Sequence, residues 1–353
     1  MRILLLTPTY SPKLTGNAVT VQRVATGLAH AGVVCRIMDL SQTEDRDLLE
    51  GADTFTPDIV HIFHAYKAGP SGMLLKRVLD VPLITTMTGT DMHLDMKDRE
   101  KGRTIRRVLS YSDVVTVFND HAFSLLRSKG IPGEKIRIIH QSVFLQEGDA
   151  LDYRFLHGVA EQDLVFLMLG GIRRVKRIGY AIDVLADVRK VRPRLRLFLA
   201  GPILEPDEYR RIRERMACFA WITYLGEVPR ENIVSLLRSV DVVFNTSASE
   251  SESNALLEAF AFRKTVVARN IPGNSSLLSD RTAFLFRNRR ECRDAILAVV
   301  DYPAAREQVQ RHAENLLKTS FSIEKESTSY LEVYRALVTV PVGRSSGTAI
   351  LNG

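Results

Sequence analysis

Cysteine is nearly absent. Cys35, Cys218 and Cys292 lie far apart, with no Cys-x-x-Cys and no histidine at ligand spacing, so neither a zinc site nor a disulfide framework is indicated and all three read as packing residues. Long apolar runs are missing too. The opening "MRILLLTPTY" has one basic residue and an apolar run of four, too short for a signal-peptide core and far short of the ~20 residues that span a bilayer. It reads as the first buried strand of a cytoplasmic protein. Aromatic residues make up 7% of the chain and do not interleave with the basic ones, which argues against DNA or RNA as the partner despite a net charge of +7. There is no P-loop and no G-x-G-x-x-G. What remains is a chain of 353 residues, 45% hydrophobic and 25% charged, the composition of a soluble globular protein with room for two domains.

The pattern along the chain is α/β. "ILLL", "VVCRIM", "DIVHIF", "PLITTM", "DVVTVF" and "KIRIIHQSV" are short, largely β-branched runs separated by helix-length segments, as parallel strands covered on both faces require. Val21, Val24, Ala25 and Leu28 fall at helical spacing, so a helix is expected over about Thr20 to Ala31, stopped by Gly32. The second half repeats the arrangement with "LVFLML", a helix from about Gly179 to Val191, "RLRLFLAG", "WITYLG", "DVVFNTS", "TVVARN" and "AFLF". Two doubly wound Rossmann-like domains are expected, 1–150 and 160–320, joined through "QEGDALDYRFLHGVAEQD", with the ligand in a cleft at the strand C-terminal ends. A last helix over 321–340, with Ile323, Tyr330, Tyr334 and Leu337 inward, can pack back on the first domain, and the tail "GRSSGTAILNG" is expected to fray. "MKDREKGRTIRRVL" reads as a basic surface helix that turns Ile105, Val108 and Leu109 to the sheet, so no membrane association is expected.

Candidate chemistry concentrates in a few loops. From Ala255 to Phe262 every residue is apolar except Glu258, and burying a lone carboxylate costs several kcal/mol, so Glu258 needs partners. A structural salt bridge is one answer; the vicinal hydroxyls of a ribose are the other. Ser253 is a plausible N-cap of that helix, and Ser249 with Glu252 would make a capping box if it began earlier. Glu250 precedes it on the loop, and Ser253, Asn254 and Ala255 offer amides at the helix start to an anion. "LGGIRRVKRIGY" sets four cations beside Gly170 and Gly171, equipment for holding a pyrophosphate. Neighbouring cations on this loop should differ in role, with Arg173 and Lys176 expected inward and Arg174 and Arg177 outward. In the first domain, Gly16 and Asn17 end a long loop where backbone can approach a phosphate or sugar. Lys13, His64, Lys67, Thr88, Thr90 and Asp91 form a short polar and basic set at the cleft edge with His93, lacking the aromatic platform that would grip a long glycan; a loop-capping role is the alternative for any one of His64, Lys67, Thr88, Asp91 and His93.

These residues resemble the family 4 glycosyltransferases of the two-domain GT-B fold over most of the chain. The most specific match is "SESESNALLEAFAFRKTVVA", where Glu250 and Glu258 stand at the family's Glu-x7-Glu spacing. The resemblance implies that Glu258 binds the ribose of a nucleotide diphosphate sugar and that Glu250 contacts the donor sugar. Lys176 matches the family's lysine, but Gly171 occupies its arginine position, so Arg173 has to reach in instead. Ser251 and Ser253 stand where relatives have glycines, and Thr88 where many carry a histidine. "TGNAVTVQR", "TGTDMH", "IRRVK", "YLGEVP" and "ARNIPGN" are similar to one subgroup, the glycosyltransferase 1 domain-containing proteins and the selenosugar synthases.

The resemblance implies a metal-independent, retaining transferase without cofactor, using a nucleotide diphosphate sugar, a UDP-sugar, and a small polar or anionic acceptor. Glu250, Asp91, Arg173 and Lys176 are the expected catalytic residues. Gly16, Asn17, Gly171, Arg173, Lys176, Glu250, Ser253, Asn254, Ala255 and Glu258 are expected on the donor, and Lys13, His64, Thr88, Thr90 and Asp91 on the acceptor. Selenophosphate as acceptor, a nucleotide-sugar-binding protein with weak or no catalysis, and a nucleotide-sugar 2-epimerase remain open alternatives.

Overall fold

The computed structural model describes residues 1–10, 16–145 and 147–339, which form two parallel six-stranded sheets. The first contains β1 (Arg2–Thr7), β2 (Val34–Asp39), β3 (Ile59–Phe63), β4 (Leu83–Thr86), β5 (Val114–Val117) and β6 (Ile136–Ile138), in the order β2-β1-β3-β4-β5-β6. The second contains β7 (Leu164–Leu169), β8 (Leu195–Ala200), β9 (Ile222–Gly226), β10 (Val242–Asn245), β11 (Thr265–Arg269) and β12 (Phe284–Phe286), in the order β12-β11-β10-β7-β8-β9. Each apolar run read as a strand forms one. β3, β4, β5 and β10 are buried at every position, because helices cover both faces of each sheet and leave no side on which a polar residue could meet water.

The first helix runs Gly16–His30, a turn earlier than its apolar spacing announces, since its opening turn faces the cleft rather than the core. The basic helix is Arg99–Tyr111. Asp98 caps it by accepting from the N–H groups of Glu100 and Lys101, and Ile105, Val108 and Leu109 are buried against the first sheet. No helix among the described residues is long and apolar enough to cross a membrane.

The linker region does not stay free of the second core: Tyr153, on the short helix Tyr153–Leu156, is buried with Val165, Leu167 and Phe198. The helix Pro303–Ser320 lies against β11, and after Phe321 the chain crosses over. The last helix, Ile323–Val338, packs along Gly16–His30 and buries Tyr330 and Tyr334 among Ile3, Leu5 and Val21 of the first domain. Ile323 and Leu337 are half-buried. The same helix also buries Glu326 and Ser327, which apolar periodicity does not reveal. Cys292 is buried and Cys35 partly so, but Cys218 is exposed, which corrects its reading as a packing residue. The tail 343–353 and Lys13 lie outside the described residues.

Candidate active site

The strand C-terminal ends of the two sheets face one cleft of about 530 Å³, the size of a small-molecule site. From the second sheet, Gly170, Gly171, Arg173 and Lys176 line it after β7, and Glu250 to Ala255 with Glu258 line it after β10. From the first come Gly16, Asn17, His64, Lys67, Thr88 and Thr90. The chain therefore brings together nearly all the residues its loops nominated.

The basic loop is shaped by backbone approach. Gly201, at φ 143°, lies so close to the β7 loop that a Cβ there would meet the Gly170 carbonyl oxygen at 2.3 Å. Thr246 Oγ1 donates to the Lys176 carbonyl at 2.7 Å, tying this loop to the end of β10. Arg173 and Lys176 consequently face the cleft, and Arg173 Nε is buried without a hydrogen-bond partner. Arg174 is exposed, and Arg177 stacks over the Tyr180 ring at 4.7 Å.

Glu250 sits opposite. Burial alone would push its carboxyl up, but Lys176 Nζ at 2.6 Å, the Ser247 hydroxyl at 2.6 Å and the nearby Arg173 outweigh it and hold the group below the ordinary glutamate range. It is therefore an anion at neutral pH, beside two cations that can turn to a ligand.

Glu258 is 3% exposed and forms an ion pair with Arg230, whose other nitrogen donates to the Phe144 carbonyl at 3.0 Å. The structural salt bridge expected for this carboxylate is therefore present, and both Glu258 and Arg230 line the cleft. Its helix spans Asn254–Ala261 with Ser253 as N-cap, so it begins at the later of the two possible starts. The Ser253 side chain makes no capping hydrogen bond.

Asp91 departs from expectation. It does not line the cleft; it is fully buried and accepts the N–H groups of Ala65 at 2.8 Å, Thr88 at 3.1 Å, Gly89 at 2.9 Å and Met92 at 3.0 Å. A carboxylate holding four amides organises the loops that present Thr88 and His64, rather than meeting a substrate. His93 is likewise off the cleft wall, and burial lowers its proton affinity. His64 lines the cleft at φ 83°, an uncommon backbone state for a residue with a side chain, with its ring 3.7 Å from Asp95.

Sequence reasoning missed Arg230, Pro202, Leu204 and Glu227, all on the wall. The available signal for Arg230 was its place just after a strand, in "YLGEVPREN". Among the described residues, no three His, Cys, Asp or Glu side chains converge as a metal site would require.

Comparison with known proteins follows the two-sheet division. Residues 2–141 match the glycosyl transferase 4-like domain, and residues 149–316 match glycosyl transferases group 1. Among curated relatives, the chain is 26% identical over 326 residues to glycosyltransferase 1 domain-containing protein 1 of Xenopus tropicalis, covering 90% of this chain and 93% of that protein. It is 24% identical over 227 residues to N-acetyl-alpha-D-glucosaminyl L-malate synthase of Bacillus anthracis, covering 61% and 57%. Among solved structures, Anabaena HepE in complex with UDP-glucose superimposes with a TM-score of 0.81 at 18% identity over 96% of this chain and all of that one. Sucrose-phosphate synthase from Thermosynechococcus elongatus gives 0.80 at 16% identity, covering 96% and 99%.

Proposed function

Because this chain belongs to the glycosyltransferases, with a 4-like first domain and a group 1 second domain on the GT-B fold, we propose that it transfers a sugar from a UDP-sugar to a small polar or anionic acceptor, with retention and without a metal ion. The observation that carries this reading is the pairing, across one cleft, of a cationic couple, Arg173 and Lys176, with two acidic residues, Glu250 and Glu258. Diphosphate lies against the cations and the open β7 loop. Glu258, aligned by Arg230, accepts the ribose hydroxyls, and Glu250 accepts hydroxyls of the donor sugar. The bound UDP and UDP-glucose of the HepE structures support the choice of nucleotide.

In the reaction, the bond from sugar C1 to the β-phosphate oxygen breaks and one from C1 to the acceptor atom forms. The negative charge growing on the leaving diphosphate is held by Arg173 and Lys176, which supply the electrostatic stabilisation a divalent ion would otherwise give. The first-domain residues described on the wall include no carboxylate, and Asp91 is occupied by amides. The acceptor's proton passes to the departing phosphate oxygen, which retention places on the acceptor's face of the sugar. Retention is taken from the family resemblance of the Glu-x7-Glu segment. Lys67, Thr88 and Thr90 favour a small polar or anionic acceptor.

Calorimetric titration with UDP tests the donor half. Glu258→Gln can still accept from Arg230, so it should keep the fold but weaken UDP binding by roughly 1–3 kcal/mol, a lost charge-assisted hydrogen bond. Wild-type UDP affinity in a folded Glu258→Gln protein would remove Glu258 from the ribose. A mass-spectrometric screen with UDP-sugars and small acceptors, selenophosphate included, then reads out transfer. UDP-sugar binding with no UDP release across that screen would leave a binding protein.

A further inference from the structure

The loop that carries Glu250 belongs to the second sheet, yet the first domain holds its backbone. Asn119, 1% exposed, follows β5 and donates through Nδ2 to the carbonyl of Ser251 and, at 3.1 Å, to that of Gly273. Its Oδ1 accepts the Ala122 N–H at 2.9 Å as N-cap of the helix Asp120–Ser128, which fixes the amide so that only its NH₂ can face those carbonyls. Gly273 is the second support of the same residue: a Cβ there would meet the Glu250 carbonyl oxygen at 1.7 Å, so the two backbones lie in direct contact. Asn119 thus ties down both segments that frame Glu250.

The neighbouring residues are held from the same side. Gln141 donates its N–H to the Glu252 carboxylate at 2.8 Å and its side-chain amide to the Glu252 carbonyl at 2.9 Å. Arg23 donates to the Asn254 side chain at 3.0 Å while its other nitrogens take Glu326 of the last helix at 2.8 and 2.9 Å. The Glu250 side chain, in contrast, is anchored by Lys176 and Ser247 of its own domain. Side chain and adjoining backbone therefore answer to different domains, and moving one domain relative to the other strains the link between them.

We propose that Asn119 is a positioning residue that sets Glu250 at the donor sugar from the opposite domain, so that the sugar subsite is complete only when the domains are closed. This rests on the reading of the cleft as a UDP-sugar site. Arg173, Lys176 and Glu258, the side chains proposed for the nucleotide, all stand on the second domain and none bonds to Asn119, so the sugar increment depends on Asn119 more than the UDP affinity does.

Asn119→Ser and Asn119→Asp test this in the full-length chain, since both residues still cap the helix. Hydrogen–deuterium exchange without ligand should show faster exchange over residues 250–254 in both variants, most in Asn119→Asp, whose carboxylate faces two carbonyls. Unchanged exchange there in both overturns the clamp, whatever the protein binds. With UDP and UDP-glucose as probes, Asn119→Ser should weaken UDP-glucose about tenfold and UDP less than about threefold, and combining it with Glu250→Gln should add little to either alone. Equal loss for both ligands, or full additivity with Glu250→Gln, overturns the positioning role. Wild-type protein that binds neither ligand defeats the UDP-sugar reading and with it the role at the sugar, while the exchange result still decides the clamp.

Discussion

Arg173 and Arg174 are adjacent in the chain, yet extended backbone at Arg173 sends one to the cleft and leaves the other in water, where its N–H meets Glu205 at 2.9 Å. Only charges that face the leaving group can lower its barrier. Arg173→Ala and Lys176→Ala should each lower kcat by about 10²–10³-fold, the cost of removing one donor from a preorganised site. Lys176→Ala also strips Glu250 of its nearest counter-ion, leaving only the Ser247 hydroxyl and Arg173 to oppose the burial that raises its carboxyl. Arg174→Ala and Arg177→Ala should stay within about threefold, as surface substitutions do. Steady-state kinetics on the four variants decides, and equal losses at all four would mean a diffuse basic surface. The expectation that neighbouring cations differ in role sorted these four residues, and the turn Arg174–Lys176 is what brings Lys176 round to the side of Arg173. Sequence position was not enough for Asp91, because a carboxylate at a strand end looks the same in sequence whether it meets a substrate or four backbone amides.

Among the elements, the last helix shows what apolar spacing can and cannot convey. Tyr330 and Tyr334 were legible as inward positions because they stand four apart. Their partner was not: the Tyr334 hydroxyl lies 2.7 Å from His61 Nδ1, in the middle of β3, and Thr86 Oγ1 lies 2.6 Å from Nε2. Burial drops the His61 pKa to about 3, so the ring is neutral in the folded protein and takes up a proton on unfolding. The unfolded state then binds more protons between about pH 6.5 and pH 3, and stability falls as pH is lowered through that window. Thermal melts of wild type and His61→Gln across that range should show a flatter pH dependence in the variant. Parallel curves would mean that other groups govern acid stability. The helix is thus not an appendage: it covers β3 and brings Glu326 to Arg23, whose guanidinium also reaches Asn254 at the start of the helix that carries Glu258.

For the molecule as a whole, the loops of the second sheet supply Arg173, Lys176, Glu250 and Glu258 to the cleft, while the described first-domain residues on its wall include no carboxylate. If Arg173 and Lys176 carry the diphosphate, turnover should persist in a chelator at the wild-type rate to within about twofold, since no Lewis acid is required at the leaving group. Complete loss, with recovery on adding magnesium or manganese, would show that a divalent ion does this work. The rate should be followed as UDP release.

Local sequence pattern was sufficient for the twelve strands among the described residues, for the α/β architecture, and for nominating Glu250, Glu258, Arg173 and Lys176 as cleft residues. Each of these rests on local spacing: β-branched runs, helical periodicity, and charged residues confined to loops at strand ends. Tertiary structure alone decided that Glu258 pairs with Arg230, 28 residues away, and that Asp91 serves the loops. It also placed Asn119, Gln141 and Arg23 on the segment Ser251–Asn254, across separations of 132, 111 and 231 residues. A buried polar group takes its role from whichever group fills its hydrogen-bonding capacity, and when that group comes from a distant segment no local pattern encodes it.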